Sequence, residues 1–263
     1  MKPSPPVPHP EVCARLFFRA VLPAFEDFLK FDPWARRVLG KAGGLVVFED
    51  RAGNRAGLDL GDGRAVWSEA PPARPTVRIQ LGPGTTAVRL VRGRAAWAWV
   101  VRGWSRPVFL ARLARLFLRF QRLLRPGARD LEDEGFRLLH VRLALAVALF
   151  SLAEVAREDP WAAAVRGDAP EGTICFRVDG ADLSATVENR AEGLLVSRGA
   201  PDGGPEAADA VVTFASPKAA MEILTQKRDA HAAVALGAVR VEGLVPLADG
   251  ASHLLDRVAR YLP

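Results

Sequence analysis

The sequence is short of the residues that build most catalytic and metal centres. Cysteine occurs twice, at Cys13 and Cys175, with neither close pairing nor a metal-ligand spacing. Such sparse use suits a reducing compartment. Histidine occurs four times, at His9, His140, His231 and His253, with no ligand spacing to one another or to cysteine. Each is expected to be solvated or structural. There is no Gly-x-Ser-x-Gly elbow, no His-Glu-x-x-His and no Cys-x-x-Cys. A non-enzyme without metal or cofactor is the expectation. The first ten residues hold Pro3, Pro5, Pro6, Pro8 and Pro10 where a secretory signal needs an apolar core. That stretch is expected to be a disordered, polyproline-like tail on a cytoplasmic protein.

What is present is apolar and unevenly charged. Of 263 residues, 49% are hydrophobic, enough for one large core or two ordinary ones. The formal net charge is +6. The first 126 residues carry about 22 Lys and Arg against 9 Asp and Glu, and the remainder about 14 against 21. A basic first half and an acidic second half suit an anionic surface as partner, or docking of one half on the other. Nucleic acid is not expected, because no basic face interleaved with aromatic residues is found.

The tetrapeptide Asp32-Pro33-Trp34-Ala35 recurs as Asp159-Pro160-Trp161-Ala162, an offset of 127. Leu22 and Leu149, Lys30 and Arg157, and Gly40 and Gly167 match at the same offset. Each tetrapeptide follows an apolar helix and precedes strand-like segments, which points to an internal duplication. In the first copy a helix is expected over residues 11–30, kinked at Pro23. Strands are expected at 44–49, 56–60, 64–68, 76–81 and 94–101, with a short helix after Gly84. Gly82-Pro83-Gly84-Thr85-Thr86-Ala87 fits a loose dinucleotide fingerprint. Pro83 removes an N–H where phosphate would be cradled, and no acid follows about 20 residues on, so a plain turn is the expectation.

Residues 107–124 form a strongly amphipathic helix, with Arg112, Arg115, Arg119 and Arg122 on one ridge and Phe109, Leu113, Leu116 and Phe120 opposite. The ridge has two readings: a solvated or docked face of a core helix, or a contact with anionic lipid headgroups. Pro126-Gly127 ends the helix. The expected division is a tail over 1–10, a lobe over 11–126, an acidic linker over 127–136 and a second lobe over 137–263.

The second lobe opens with an apolar helix over 137–157. His140, Arg142, Ser151 and Glu154 interrupt it, so it is expected to be a buried core helix rather than a membrane span. Strands are expected at 173–178, 183–188, 193–197, 210–214 and 238–242, with a hairpin turn at Asp179-Gly180. Ser216 and Pro217 start a helix, with Lys218 and Glu222 as a surface pair. From Pro246 a last helix places Leu247, Ala251, Leu254, Leu255, Val258 and Leu262 on its apolar side.

The run Leu236-Gly237-Ala238-Val239-Arg240-Val241-Glu242-Gly243, followed by that leucine-rich helix, resembles the C-terminal part of sterol carrier protein 2 domains. So does the strand 208–214 feeding the Ser216-Pro217 helix. Leu244 departs from the polar residue often found at that point in the family. The resemblance implies an α+β fold of two tandem sterol-carrier-like lobes. Each would be a mostly antiparallel five-stranded sheet covered by helices, packed through the N-terminal helices. It further implies an apolar cavity in the second lobe for a sterol, acyl lipid or isoprenoid. Met221, Ile223, Leu224, Val239, Val241, Leu254, Leu255 and Val258 are its candidate lining, with an ordinary filled core as the competing reading. In the first lobe Gly103 matches Gly243, and Trp97 and Trp99 are expected to occupy the corresponding space. Two functions follow: a carrier that binds or transfers lipid, or an accessory protein presenting an isoprenoid intermediate to partner enzymes at the inner membrane surface. An enzyme would need a perturbed acid or base in the cavity, and the sequence names none.

Overall fold

The computed structural model describes residues 9–82, 89–90, 98–225, 227–228 and 230–262. The chain divides into two compact units, Pro10–Leu139 and His140–Pro263, with His9 counted in the second. The proline-rich tail before His9 and the fingerprint residues 83–87 lie outside the described residues, as do Trp97 and the first part of the strand expected over 94–101.

The first unit begins with α1 (Pro10–Leu16), a π-helical turn (Phe17–Val21), α2 (Ala24–Phe31) and α3 (Pro33–Leu39). One kinked helix was the expectation for residues 11–30. Pro23 has no N–H to donate, and the chain absorbs this by widening the turn before it, where Leu22 N donates to Phe17 O at 3.0 Å. The strands are β1 (Gly44–Glu49), β2 (Arg55–Gly61), β3 (Arg64–Ser68), β4 (Val77–Leu81) and β5 (Ala98–Arg102), in the order β3-β2-β1-β4-β5. β1 and β4 run parallel and the other pairs antiparallel. The amphipathic helix α4 (Pro107–Leu124) closes the sheet unit and packs on α3.

The second unit repeats this plan. Helix α5 (Glu134–Glu158) begins before the division between the two units and continues past it. By length and composition it could span a membrane, but most of its apolar window is buried in the protein, as a core helix requires. Then come α6 (Pro160–Asp168), β6 (Gly172–Val178), β7 (Ser184–Arg190), β8 (Gly193–Arg198) and β9 (Ala210–Phe214). The helices α7 (Pro217–Leu224) and α8 (Ala230–Ala235) lead to β10 (Val239–Gly243) and the terminal α9 (Val245–Tyr261). The order β10-β9-β6-β7-β8, with β6 and β9 parallel, is the same arrangement as in the first unit. The fold is therefore α+β, with two mostly antiparallel five-stranded sheets under helices.

The duplication extends to local chemistry. Leu45 N donates to Thr76 Oγ1 at 3.2 Å before β4, and Thr173 N donates to Asp209 Oδ2 at 2.7 Å before β9. Gly103 and Gly243, matched from the sequence, both have positive φ, at 113° and 84°. A Cβ at Gly243 would lie 2.2 Å from Asp209 O, so glycine is required there on both counts. Ser216 caps α7 as expected, its Oγ accepting from Ala219 N at 3.1 Å. The Lys218–Glu222 pair gives way to another partner: Glu222 meets Arg228 at 2.7 Å, a residue brought back by the turn after α7.

The Gly243→Ala variant should lose more than about 1 kcal/mol in denaturant unfolding. Gly167→Ala, inside α6 and with no atom within 4 Å of the added carbon, should instead raise stability by about 0.4–1 kcal/mol.

Candidate functional site

The two repeated tetrapeptides are helix starts. Asp159 Oδ1 accepts from Trp161 N at 2.9 Å and Ala162 N at 3.2 Å, with Pro160 at the first helical position. Asp32 does the same for α3 through Trp34 N at 2.9 Å. These short helices were not anticipated, although aspartate before proline is a helix-start signal.

The second oxygen of each aspartate holds the lobe's last helix. Asp159 Oδ2 accepts from Arg257 Nε at 2.8 Å, Arg257 Nη2 at 2.5 Å and Tyr261 Oη at 2.6 Å. The Asp159 and Arg257 side chains are wholly buried. Arg257 also lies 5.9 Å from the Trp161 ring centre and 5.2 Å from that of Tyr261. In the first unit Arg119 Nε donates to Asp32 Oδ2 at 3.1 Å and lies 5.8 Å from the Trp34 ring centre. No hydroxyl accompanies it, because Leu123 stands four residues after Arg119 where Tyr261 stands four after Arg257. Burial alone would push the Asp159 carboxyl up. The hydrogen bonds from Tyr261, Arg257 and Ala162 N overcome it and hold the carboxyl below the usual carboxylate range. Burial, and then the bond to Asp159, push the Tyr261 hydroxyl up to about 12.

The arginine ridge of α4 is largely engaged within its own unit. Arg112 Nη1 donates to Leu39 O at 2.9 Å, Arg119 holds Asp32, and Arg122 Nε donates to Asp130 Oδ2 at 3.2 Å. Arg115 is exposed. Trp99 does not occupy the lobe's interior as expected: it is 47% exposed on β5, opposite Gln80. Phenylalanines from α2, β1 and α4 meet there instead. Phe117 stacks on Phe25 at 4.9 Å and meets Phe48 at 5.4 Å, and Phe120 meets Phe25 at 5.1 Å.

The second unit has a cleft between its sheet and two helices. Ile174, Val187 and Leu194 form the sheet side, Leu152 comes from α5, and Leu247, Ala251 and Leu254 come from α9. It measures about 250 Å³ with its open mouth, and its enclosed part holds little more than a water-sized sphere. Arg166 and Asn189 are the polar residues of this lining. Of the eight residues proposed from sequence, Leu254 borders the cleft. Met221, Val239 and Val258 are buried elsewhere in the lobe, while Ile223, Leu224, Val241 and Leu255 are half-buried. Asn189 was legible from alternation with Ala185 and Val187, which puts it on the inward face of β7. Among the described residues no group of three or more His, Cys, Asp or Glu could hold a metal ion. The side chain of His231 lies outside the described residues.

No family model matches this chain, and no curated protein does. Among solved structures it is similar to the sterol carrier protein domain 2 of Helicoverpa armigera, at 18% identity and TM-score 0.35, over 44% of this chain and 88% of that one. It is similar to sterol carrier protein 2 from Yarrowia lipolytica at 18% identity and TM-score 0.33, over 44% of this chain and 91% of that one. A ubiquinone synthesis protein, UbiJ-SCP2, matches at 16% identity and TM-score 0.33, over 43% of this chain and 96% of that one. The likeness is one of fold, to sterol carrier protein 2 domains.

Two pH limits follow from the buried triad. The Asp159 carboxyl titrates lower folded than unfolded, so its contribution is full above roughly pH 4 and is lost as pH falls through the lowered value. The Tyr261 hydroxyl titrates higher folded than unfolded, so its contribution is full below pH 10 and is lost as pH rises toward 12. Tyr261 is the sole tyrosine, so tyrosinate absorbance reports this site alone. Its midpoint should lie above that of free tyrosine in the folded protein, and Tyr261→Phe should remove the alkaline loss in melting temperature. Asp159→Asn should cost about 3–5 kcal/mol, because it leaves Arg257 buried without a counter-charge. Asp32→Asn should cost less, because the Arg119 side chain is 26% exposed.

Proposed function

We propose that this protein binds a single apolar ligand in the second unit, without chemistry, as a carrier. The supporting observation is the cleft itself: aliphatic walls from the sheet, α5 and α9, with two polar residues among its lining. In the form described it is too narrow for a lipid chain, so entry requires α9 to swing outward. The helix is suited to that. Its first half, through Leu247, Ala251 and Leu254, borders the cleft, while Arg257 and Tyr261 pin its second half to Asp159. The pivot is the anchored end.

Native mass spectrometry on protein purified from its own host tests this reading. A sterol, acyl lipid or isoprenoid at about one per chain, lost in Ala251→Trp or Leu254→Trp variants that keep the wild-type circular dichroism spectrum, supports the carrier. An apo mass that no added lipid changes overturns it.

Work at a membrane surface, alone or with partner enzymes, is favoured by a different observation. Trp99, Val101, Trp104 and Val108 are 47%, 57%, 70% and 65% exposed over ten residues of the first unit, beside exposed Arg102 and Arg106. Trp104 Nε1 donates to Val100 O at 2.7 Å, which fixes that ring against β5. Indole rings beside arginines suit the headgroup layer of an anionic bilayer. Our proposal puts the membrane contact on this patch instead of the α4 ridge. Trp99→Ala/Trp104→Ala should reduce co-sedimentation with phosphatidylglycerol vesicles several-fold, and Arg112→Gln should leave it unchanged. Equal sedimentation of all three proteins overturns the assignment.

A further inference from the structure

The polar end of the cleft carries a specificity of its own. Asn189 stands on β7, paired with Leu194 of β8 and Gly172 of β6, and is 5% exposed. Its Nδ2 donates to Ala169 O at 3.3 Å and Pro170 O at 2.9 Å. Those two acceptors fix the amide orientation, because a flipped amide would set its oxygen against two carbonyl oxygens. Asn189 Oδ1 is then a buried acceptor with no hydrogen-bond donor, on a residue that borders an apolar cleft. Buried acceptors are rarely left so unless something supplies the donor.

We propose that Asn189 Oδ1 is the head-group acceptor of this cleft and selects an uncharged apolar ligand bearing a hydroxyl. The ligand O–H donates to Oδ1 while its hydrocarbon body lies against Val187, Leu194 and Leu254. A carboxylate is disfavoured, since it has no proton to give and would set a negative oxygen against Oδ1. Arg166 alone would favour the acid. However, its Nη1 donates to Arg190 O at 2.7 Å, in a bond open to solvent, where water screens the charge. The buried amide therefore decides the class. This rests on the carrier reading of the same cleft.

The test measures binding of three probes to the full chain by equilibrium dialysis: hexadecanol, its methyl ether and hexadecanoate. The alcohol should bind at least about tenfold more tightly than the ether, which can only accept a hydrogen bond. Asn189→Leu should abolish that preference while keeping ether binding. Equal binding of all three probes to the unmodified protein overturns the inference and leaves the carrier reading intact. Preference for hexadecanoate overturns it in favour of Arg166. Binding of none of them overturns both. The comparison among probes on the unmodified protein decides the matter even where a variant fails to fold.

Discussion

The contact between Asp159, Arg257 and Tyr261 sets where the last helix lies, and most of the second unit's architecture follows from that. Two charges with no exposed side-chain surface are tolerable only when nearly every hydrogen-bonding position is used. Here one carboxylate oxygen starts α6 and the other takes the guanidinium and the phenol. Sliding α9 by one turn, about 5.4 Å, would leave both charges buried and unpaired. The apolar contacts of Leu247, Leu254 and Val258 supply attraction but would tolerate several registers. The ionic contact selects one, and with it the residues that face the cleft.

The same device, kept in weaker form, shows how the two copies have separated. Arg119 and Asp32 repeat the geometry without the hydroxyl and with the arginine partly in water. Aligning the two terminal helices on their arginines sets Phe109, Phe117 and Phe120 against Leu247, Leu255 and Val258. A phenylalanine is bulkier than any of these aliphatic residues, so the first unit's last helix carries more side-chain volume on these positions. Phe25 and Phe48 meet Phe117 from the other side. The aromatic residue that sequence reasoning assigned to this role, Trp99, is instead turned outward on an edge strand.

Periodicity made the strands legible, several to the residue, because alternation and glycine turns are local. The duplication was legible because Asp-Pro-Trp-Ala is rare enough to be recognised twice. What it does was not, since the partner of Asp159 lies 98 residues away and nothing local marks it. Arg257 sits among Leu254, Val258 and Tyr261 on an apolar helix face, and an arginine in that position is the signal that would have found it. Of the residues that sequence reasoning named, Leu254 borders the described cleft. Val239 and Val241 lie on the edge strand β10, whereas the cleft opens toward β6, β7 and β8 at the other side of the sheet. Apolar alternation shows that a residue faces inward. It does not show which part of the interior has been left unfilled.

Two lobes of one ancestry differ in what they pack beneath the last helix, clustered aromatic rings in the first and aliphatic residues around a cleft in the second. The first unit's edge strand shows tryptophan, valine and arginine where the second unit's β10 shows Arg240 and Glu242 paired with each other at 3.4 Å. A charged pair of that kind keeps an edge soluble, whereas an aromatic edge asks for cover. The second unit keeps aliphatic walls, a glycine at position 250 that brings α9 against Ala169, and one buried amide oxygen without a donor. Of these, the oxygen without a donor is unfavourable in a protein selected for stability alone. The cleft beside it borders the part of α9 that precedes the anchor at Arg257.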